Sequence, residues 1–381
     1  MHGDRTIAIL GGGFAGLQTA RSLERTLPAN WTIKLLSLDN FITYAPLLPE
    51  VVGASLLPSH VVAPLRQTVK RAQMLMVRVT EIDLAERCIH YAGEGEGLLR
   101  YDQLVIALGQ HANTGVVKGM GTYSLPLKTL GDAMFLRNRV IARLEHAQLQ
   151  PDRAAWRWLL SFVVIGGGLC GVETAGELLD FVRASLRYYP QVDAEDVAVQ
   201  LVHSGEYLLP ELSCSLGEFA ERKMMGQGVQ FHLSARALRV DDRSVYLSTG
   251  DVLPAGTVVC TIGSVANPLV SMLPLPMSRG RIDVLPDMSV ASHPEVWSIG
   301  DCAAVPNAGM GGVCPTTAQF ADRQARLLAR NVAARVAGPP TQAFSYKPLG
   351  MLATVGHNHA VAELFGLRLS GFVAWLLWRG T

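Results

Sequence analysis

The sequence predicts an α/β fold, because the same strand–loop–helix pattern occurs twice along its 381 residues. Residues 11–23, GGGFAGLQTARSL, and residues 166–178, GGGLCGVETAGEL, are identical at seven of thirteen positions. A short apolar run precedes each glycine run, as expected for a buried parallel strand, and a helical pattern follows it. The duplication predicts two Rossmann-like domains, each built on a parallel sheet.

Each copy continues into a second apolar run and so forms a βαβ unit. Such a unit has a right-handed crossover and places both of its strands in one parallel sheet. The predicted strand, helix and strand are residues 6–10, 14–25 and 31–38 in the first copy, and residues 159–165, 170–188 and 197–202 in the second.

The segments outside these two units supply the remaining strands and the domain boundaries. Strand-like stretches occur at residues 74–83, 87–92, 101–108, 231–240, 244–249, 256–263, 281–286 and 295–302, and a helix is predicted at about 317–337. The stretch 93–97, GEGEG, is expected to break the strand pattern. The predicted domains are residues 1–118 with 281–343, residues 119–280, and a C-terminal segment of residues 344–381.

The composition excludes several classes of function. The net charge is +1 at pH 7 and charged residues make up 17% of the chain, so a polyanionic partner such as nucleic acid is not expected. The six cysteines form no CxxC pair and the histidines form no HExxH motif, so no metal site is predicted. Reduced thiols in a cytosolic compartment are the simplest interpretation.

Neither end of the sequence predicts a membrane-spanning segment. The start, MHGDRTIAIL, runs directly into a strand pattern and leaves no room for a signal peptide. No apolar stretch reaches the roughly 18–20 residues that a spanning helix needs. The last residues, SGFVAWLLWRGT, are either a buried final helix or the start of an interfacial anchor with Trp375 and Trp378 at the lipid headgroups.

The spacing of the glycines, GxGxxG, suits a loop that binds a pyrophosphate. In the first copy Gly11 makes the tight turn, Gly13 leaves room for the phosphate, and Gly16 lets the helix pack against the strand. The start of the helix then offers free N–H groups and a positive dipole end to the anion. Two dinucleotide sites are predicted, because the second copy repeats the pattern with Gly166, Gly168 and Gly171.

A family resemblance rests on six segments: YDQLVIALG, LPLKTLGDA, GGGLCGVETAGEL, EVWSIGDCA, CPTTAQFADRQA and GMLATVGHNHAVAE. From about Thr6 to the last residue the sequence resembles the type II NADH:quinone oxidoreductases, single-subunit flavoproteins with two dinucleotide folds. The resemblance implies FAD in the first fold and NADH in the second, with flavin and nicotinamide face to face. It also implies hydride transfer to the flavin, ping-pong reoxidation by a membrane quinone, peripheral attachment at the cytoplasmic side of the inner membrane, and compatibility with a homodimer.

The same resemblance assigns residues to FAD. Asp301 follows a predicted strand and lies where the family binds the ribityl chain. The helix start at Ala318 and Gln319 lies where the family meets the flavin ring, and its dipole would stabilise negative charge on the reduced flavin. The full set implied for FAD is Gly11, Gly13, Phe14, Ala15, Gly16, Ser37, Asp39, Pro46, Val79, Ala107, Gly109, Asp301, Ala318 and Gln319.

The resemblance also assigns residues to NADH and to the quinone. The set implied for NADH is Gly166, Gly168, Gly171, Glu173, His203 and Gly263. The predicted catalytic residues are Glu173 and Gln319; Glu173 would position the ligands or relay protons, unless it is only a carboxylate favoured at a helix start. The predicted quinone contacts are Gln319, Arg323 and Pro46.

A few positions depart from the family pattern. Ser37 and His203 stand where an acidic residue normally binds the adenosine ribose, although Asp39 follows Ser37 closely. Losing such a charged hydrogen bond costs roughly 1.5–3 kcal/mol. A protonated His203 would tolerate a 2′-phosphate, so we expect NADH use with NADPH as an alternative donor. On the quinone helix, Arg323 replaces the family's second glutamine, and Gln324 lies off that helix face.

Two alternative functions follow from individual features. Sulfide:quinone oxidoreductases share the fold and use a cysteine near the position of Cys170, but the segment PLGMLATVG lacks the second cysteine. A nicotinamide-responsive sensor is the other alternative, because of Arg323 and because the sequence stops at AWLLWRGT, where the family continues into a membrane-binding tail. We accordingly expect a shortened tail and weak membrane association.

Overall fold

The computed structural model describes residues 5–380 and confirms the predicted fold class, an α/β protein with two parallel sheets. The chain divides into two compact units. The first comprises the chain up to Thr43, Val62–His111 and Val265–Pro348, and the second comprises Tyr44–Val61, Ala112–Ser264 and the chain from Leu349 onward. Two short strands, Gln110–Ala112 and Ser264–Ala266, lie where the chain changes unit. The assignment of domains to cofactors remains a prediction at this point.

The helices vary from single turns to twenty residues. In chain order the α-helices within residues 5–380 are α1 (Phe14–Thr26), α2 (Leu48–Val52), α3 (Leu65–Thr68), α4 (Met120–Tyr123), α5 (Leu130–Leu149), α6 (Trp156–Leu159), α7 (Leu169–Leu186), α8 (Cys214–Gln227), α9 (Pro268–Ser271), α10 (Ala318–Ala337) and α11 (Phe372–Gly380). Short 3₁₀ helices occur at Ala45–Leu47, Pro58–His60, Arg153–Ala155, Ala194–Asp196 and Gly300–Cys302.

The first unit is built on a six-stranded sheet. In spatial order its strands are Ser289–Val290, His293–Ser298, Gln103–Ile106, Arg5–Leu10, Trp31–Ser37 and Gln73–Met76. All neighbouring pairs are parallel except the first, and Ile7 lies opposite Ile33. The inner strands bury nearly all of their Ile, Leu and Val side chains, as expected for a parallel sheet covered on both faces.

Three smaller sheets complete the first unit. Their strands are Arg78–Asp83, Cys88–Ala92 and Glu96–Arg100; Phe41–Thr43 and Val62–Pro64; and Met277–Ser278, Arg281–Asp283 and Ala303–Ala304. The predicted break at residues 93–97 is shorter than expected. A turn closed by the Gly93 N–H on the Gly95 carbonyl at 2.9 Å is enough to reverse the chain.

The second unit is built on a five-stranded parallel sheet. Its spatial order is Leu125–Pro126, Thr257–Cys260, Ser161–Ile165, Ala198–Val202 and Val229–His232. The strand predicted to begin at residue 159 starts two residues later, because α6 takes up the preceding turn. A three-stranded antiparallel sheet, Ala237–Val240, Ser244–Leu247 and Val252–Pro254, also belongs to this unit.

The second unit ends in the antiparallel sheet Gly350–Thr354, Ala360–Leu364 and Leu367–Gly371, on which α11 packs. α11 buries Ala374 and half-buries Trp375 and Trp378 against that sheet. Its remaining apolar side chains are exposed: Phe372 by 55%, Val373 by 59%, Leu376 by 52% and Leu377 by 40%. The final helix is therefore only partly buried, and the interfacial anchor stays a prediction. In the part of the chain that the structure describes, no helix is long and apolar enough to cross a membrane.

Candidate functional site

The first glycine loop joins the strand Arg5–Leu10 to α1 in the first unit. Gly11 has φ +107° and a Cβ there would overlap the Ala107 carbonyl, while a Cβ on Gly16 would overlap the Gly11 carbonyl. A Cβ on Gly13 would meet no described atom within 4 Å. Glycine is thus required at two positions for packing, and the third opens onto free space at the helix start. This cradle fits a pyrophosphate.

The second glycine loop repeats this geometry before α7 in the second unit. Gly166 has φ +125°, and a Cβ on Gly171 would overlap the Gly166 carbonyl. At Gly168 the two loops differ, because the Oε1 atom of Glu211 would lie 2.8 Å from a Cβ on Gly168. A carboxylate therefore occupies the neighbourhood in which the first loop is open.

The strand Trp31–Ser37 ends beside the first glycine loop. Ser37 is buried, and its hydroxyl lies against the Gly12 backbone, whereas Asp39 is exposed. Of the other residues predicted to bind FAD, Val79 and Ala107 are buried. Gly109 has φ +63° and, among the described atoms, none lies within 4 Å of a Cβ placed there.

Asp301 lies in the loop that follows a strand of the six-stranded sheet in the first unit. His293–Ser298 ends just before Gly300, which has φ +72° and lies close to the Cβ of Ala15 in the first turn of α1. The Gly300 N–H donates to Oε1 of Gln324 at 2.8 Å, and Gln324 is buried on α10. Gln324 therefore holds the loop that carries Asp301. This agrees with the prediction that Gln324 lies off the face of α10 that was assigned to the quinone.

The first two turns of α10 contain three more predicted residues, Ala318, Gln319 and Arg323. The Thr317 hydroxyl accepts the Phe320 N–H at 3.4 Å, and the first turn contains no acidic side chain. Gln319 is half-buried in that turn, and Arg323 follows one turn later. The Arg323 guanidinium lies 5.4 Å from the centre of the Tyr346 ring. The helix start keeps its positive end available to an anion.

In the second unit, His203 faces the glycine loop. The Gly167 N–H donates to Nδ1 of His203 at 3.2 Å. This geometry requires an unprotonated Nδ1, and burial lowers the pKa of His203 below its ordinary value. Both observations favour a neutral His203, and the choice between NADH and NADPH stays a prediction.

Glu173 belongs to a group of carboxyl groups in the second unit. It accepts the Thr354 N–H at 3.2 Å, and burial, followed by the charges of Glu50 and Glu177, raises its pKa to about 8. Glu177 accepts the Ser55 hydroxyl at 2.5 Å, and burial raises its pKa to about 7. The pKa of Glu50, which is buried on α2, is raised to about 7 by burial and by Glu177.

Glu50, Glu177 and Glu211 are residues that the sequence analysis missed. Glu177 lies four positions after Glu173 and so on the same face of α7, a spacing that could have revealed it. Glu211 and Glu50 carry no comparable signal. The remaining predicted residues of this unit are Pro46, exposed in a 3₁₀ turn, and Gly263, exposed with φ +71° beside Asn113 and Val116.

Cys170 lies in the first turn of α7, directly after the second glycine loop, and is half-buried. Burial, and next the charge of Glu173, raise the pKa of Cys170 to about 11. The Thr174 hydroxyl donates to the Cys170 carbonyl at 2.6 Å. A thiol with this pKa is a weak nucleophile at neutral pH, so this position does not favour sulfide chemistry.

The sequence and the fold of this chain are similar to those of known proteins. Residues 5–325 match the sequence profile of the pyridine nucleotide-disulphide oxidoreductases. The chain is 30% identical to the type II NADH:quinone oxidoreductase Ndh of Mycobacterium tuberculosis, over 98% of this chain and 82% of that protein. It is 26% identical to a type II NADH:quinone oxidoreductase of Staphylococcus saprophyticus, over 96% and 91% of the two chains. The fold matches NDH2 from Plasmodium falciparum, solved in complex with NADH, with a TM-score of 0.91 at 18% identity, over 99% of this chain and 94% of that one.

Proposed function

Since the chain belongs to the pyridine nucleotide-disulphide oxidoreductases and, among them, to the type II NADH:quinone oxidoreductases, we propose that its first glycine loop holds FAD and its second holds NADH. The chain oxidises NADH and reduces a quinone, as these enzymes do. The observation that carries the cofactor assignment is the pair of glycine loops, each of which leads into a helix whose N-cap glycine makes no side-chain capping bond.

The first unit contributes three groups to flavin binding in this proposal. The open space at Gly13 would receive the pyrophosphate, Asp301 would bind the ribityl chain, and the start of α10 would face the flavin ring. Bound FAD would supply the two-electron chemistry between NADH and the quinone. The α10 dipole would stabilise negative charge on the reduced flavin.

Glu173 is the proposed proton donor to the quinone. Reduction of a quinone to a quinol adds two electrons and two protons; the hydride from NADH accounts for both electrons and one proton, and Glu173, with a pKa of about 8, would hold the second proton at pH 7. Gln319 and Arg323, one turn apart on α10, are the proposed hydrogen-bond donors to the quinone. The roles of Pro46 and of a homodimer stay predictions.

NADH rather than NADPH is the proposed donor. A 2′-phosphate needs a cation, and His203 is neutral while Glu211 adds negative charge beside Gly168. For membrane attachment we propose the exposed apolar face of α11, formed by Phe372, Val373, Leu376 and Leu377. That face would meet the surface of the bilayer in which the quinone is dissolved.

An anaerobic titration tests the proposal. NADH should bleach the flavin absorbance of the purified protein, and added quinone should restore it without oxygen. Gly13→Val should prevent flavin retention, since its side chain fills the phosphate space, whereas Gly95→Val, equally open but outside the cradle, should not. Gly168→Val should retain flavin but slow its bleaching by NADH.

Two results would overturn the proposal. A colourless protein that takes up no FAD would refute the cofactor assignment. Bleaching by NADH without restoration by quinone would refute the quinone step and favour a sensor. Sulfide-driven bleaching that is lost in Cys170→Ser would restore the sulfide alternative.

A further inference from the structure

A basic groove lies on the surface of the first unit. It has a volume of about 400 Å³ and runs between α10 and the extended segment of residues 342–346, which we call the strap. Three arginines of α10 line it: Arg323, Arg326 and Arg330. Positions separated by three, four and seven residues share one helix face, so the three guanidinium groups converge on the groove.

The strap is held rigidly, so the groove is a formed site. At one end, Asn331 donates to the Gln342 carbonyl at 2.9 Å and accepts its N–H at 2.9 Å. At the other end, Asn307 makes the same pair of bonds with Tyr346, at 2.8 and 3.0 Å. Between them Phe344 is buried and its N–H donates to the Pro286 carbonyl at 2.8 Å.

Successive backbone N–H groups of the extended strap point in opposite directions. Every second N–H group therefore faces away from the body of the unit. The N–H groups of Gln342, Phe344 and Tyr346 are all used in the bonds to the body of the unit. Those of Ala343 and Ser345, both of which line the groove, have no acceptor within residues 5–380.

The positive charge of the groove is only partly compensated. Arg326 forms an ion pair with Asp322 at 2.9 Å, and Arg323 lies over the Tyr346 ring. Arg330 is exposed and forms no ion pair with any residue that the structure describes. Arginine's planar fork matches the oxygens of a phosphate, and each such bond is stronger than a neutral hydrogen bond.

We propose that this groove binds a phosphate group, with Arg330 as its charged ligand and the N–H groups of Ala343 and Ser345 as its backbone donors. The group is either free inorganic phosphate or the phosphate of an anionic lipid headgroup. The site is separate from the proposed cofactor site, because Arg330 lies twelve positions after the start of α10, about 18 Å along the helix. It does not depend on the proposed function.

Calorimetric titration of the flavin-loaded protein with inorganic phosphate forms the first arm of the test. Wild type should bind, and Arg330→Gln should bind about tenfold more weakly, as expected for loss of one charged hydrogen bond. Arg330→Lys should recover part of the affinity. Arg21→Gln, an exposed arginine of α1, is the matched control and should bind like wild type. Unchanged thermal unfolding of Arg330→Gln shows that the variant is folded.

The second arm uses vesicles of phosphatidylcholine with and without phosphatidic acid. A preference for phosphatidic acid that Arg330→Gln loses and Arg21→Gln keeps supports the site with a lipid phosphate as its ligand. Binding of free phosphate without that preference supports the site with a soluble ligand. The proposal is overturned if neither ligand binds up to tens of millimolar phosphate, or if Arg330→Gln and Arg21→Gln behave alike in both arms.

Discussion

The amide oxygen of buried Gln324 accepts the N–H of Gly300 at 2.8 Å, which ties α10 to the loop that carries Asp301. We expect Gln324→Leu to weaken flavin retention by about tenfold, because an unpaired N–H costs about 1–3 kcal/mol and releases the loop. Flavin absorbance after dialysis measures the effect. Gln67→Leu, an exposed glutamine of α3, is the control. Equal flavin loss in both variants would contradict the prediction.

Quinone-dependent reoxidation should depend on the proton of Glu173. Because its pKa is raised to about 8, the group is protonated at pH 7 and loses its proton as the pH rises through that value. The rate of flavin reoxidation by quinone should therefore fall above pH 8. Glu173→Gln should be slower at pH 7, by roughly 10²-fold as for loss of a general acid, and should lack this inflection. A pH profile that is the same in Glu173→Gln would rule out this role.

The free energy of unfolding should decline between about pH 4.5 and 7 because of the raised pKa of Glu50. Its pKa rises from 4.5 to about 7 on folding, so in that interval the folded chain binds more protons than the unfolded chain. The free energy of unfolding then decreases with rising pH, and the favourable contribution present below pH 4.5 is gone above pH 7. In Glu50→Gln the slope of the unfolding free energy against pH should be smaller. The exposed Glu195→Gln should retain the wild-type slope.

Glu211 should oppose binding of NADH. Its carboxylate lies beside Gly168, where the pyrophosphate is proposed to bind, and two like charges about 4 Å apart repel by about 1 kcal/mol in water. Glu211→Gln should lower KM for NADH about fivefold at low salt and less at high salt, with kcat unchanged. Steady-state kinetics at two ionic strengths measure this. If Glu195→Gln, remote on the same unit, lowers KM equally, the effect is general and the prediction fails.

Membrane attachment should depend on α11. Phe372 and Leu376 are more than half exposed on its apolar face, and burying them in lipid contributes about 1 kcal/mol each. Changing both to Asp should reduce sedimentation with phosphatidylcholine vesicles by tenfold or more. Leu149→Asp, at an apolar residue exposed by 80% elsewhere on the same unit, should sediment like wild type. Undiminished sedimentation of the double variant would exclude α11 as the anchor.

Features fixed by local sterics were predictable from the sequence. The glycine loops follow from the spacing of Gly11, Gly13 and Gly16, and the contact of Gly16 with the Gly11 carbonyl, five residues earlier, is local. The position of Gln324 off the face of Arg323 follows from helix geometry alone. α5 was not predicted, although Thr129 and Asp132 form a capping box that marks its start.

Features created by tertiary contact were not predictable. The pKa of Glu50 depends on Glu177, which follows 127 positions later, and nothing in LLPEVV indicates that meeting. The same holds for Glu211 beside Gly168 and for the strap, whose rigidity comes from Asn307 and Asn331. In the sequence these residues resemble ordinary polar surface residues, and only the fold brings them together.

Both glycine loops lead into helices whose N-cap residues, Gly13 and Gly168, offer no side chain to cap them. A bound dinucleotide would supply that cap, so the stability of each unit would rise with the concentration of its dinucleotide. A cell starved of flavin precursor would then hold less of this polypeptide, because the empty chain opens more often and is exposed to proteolysis.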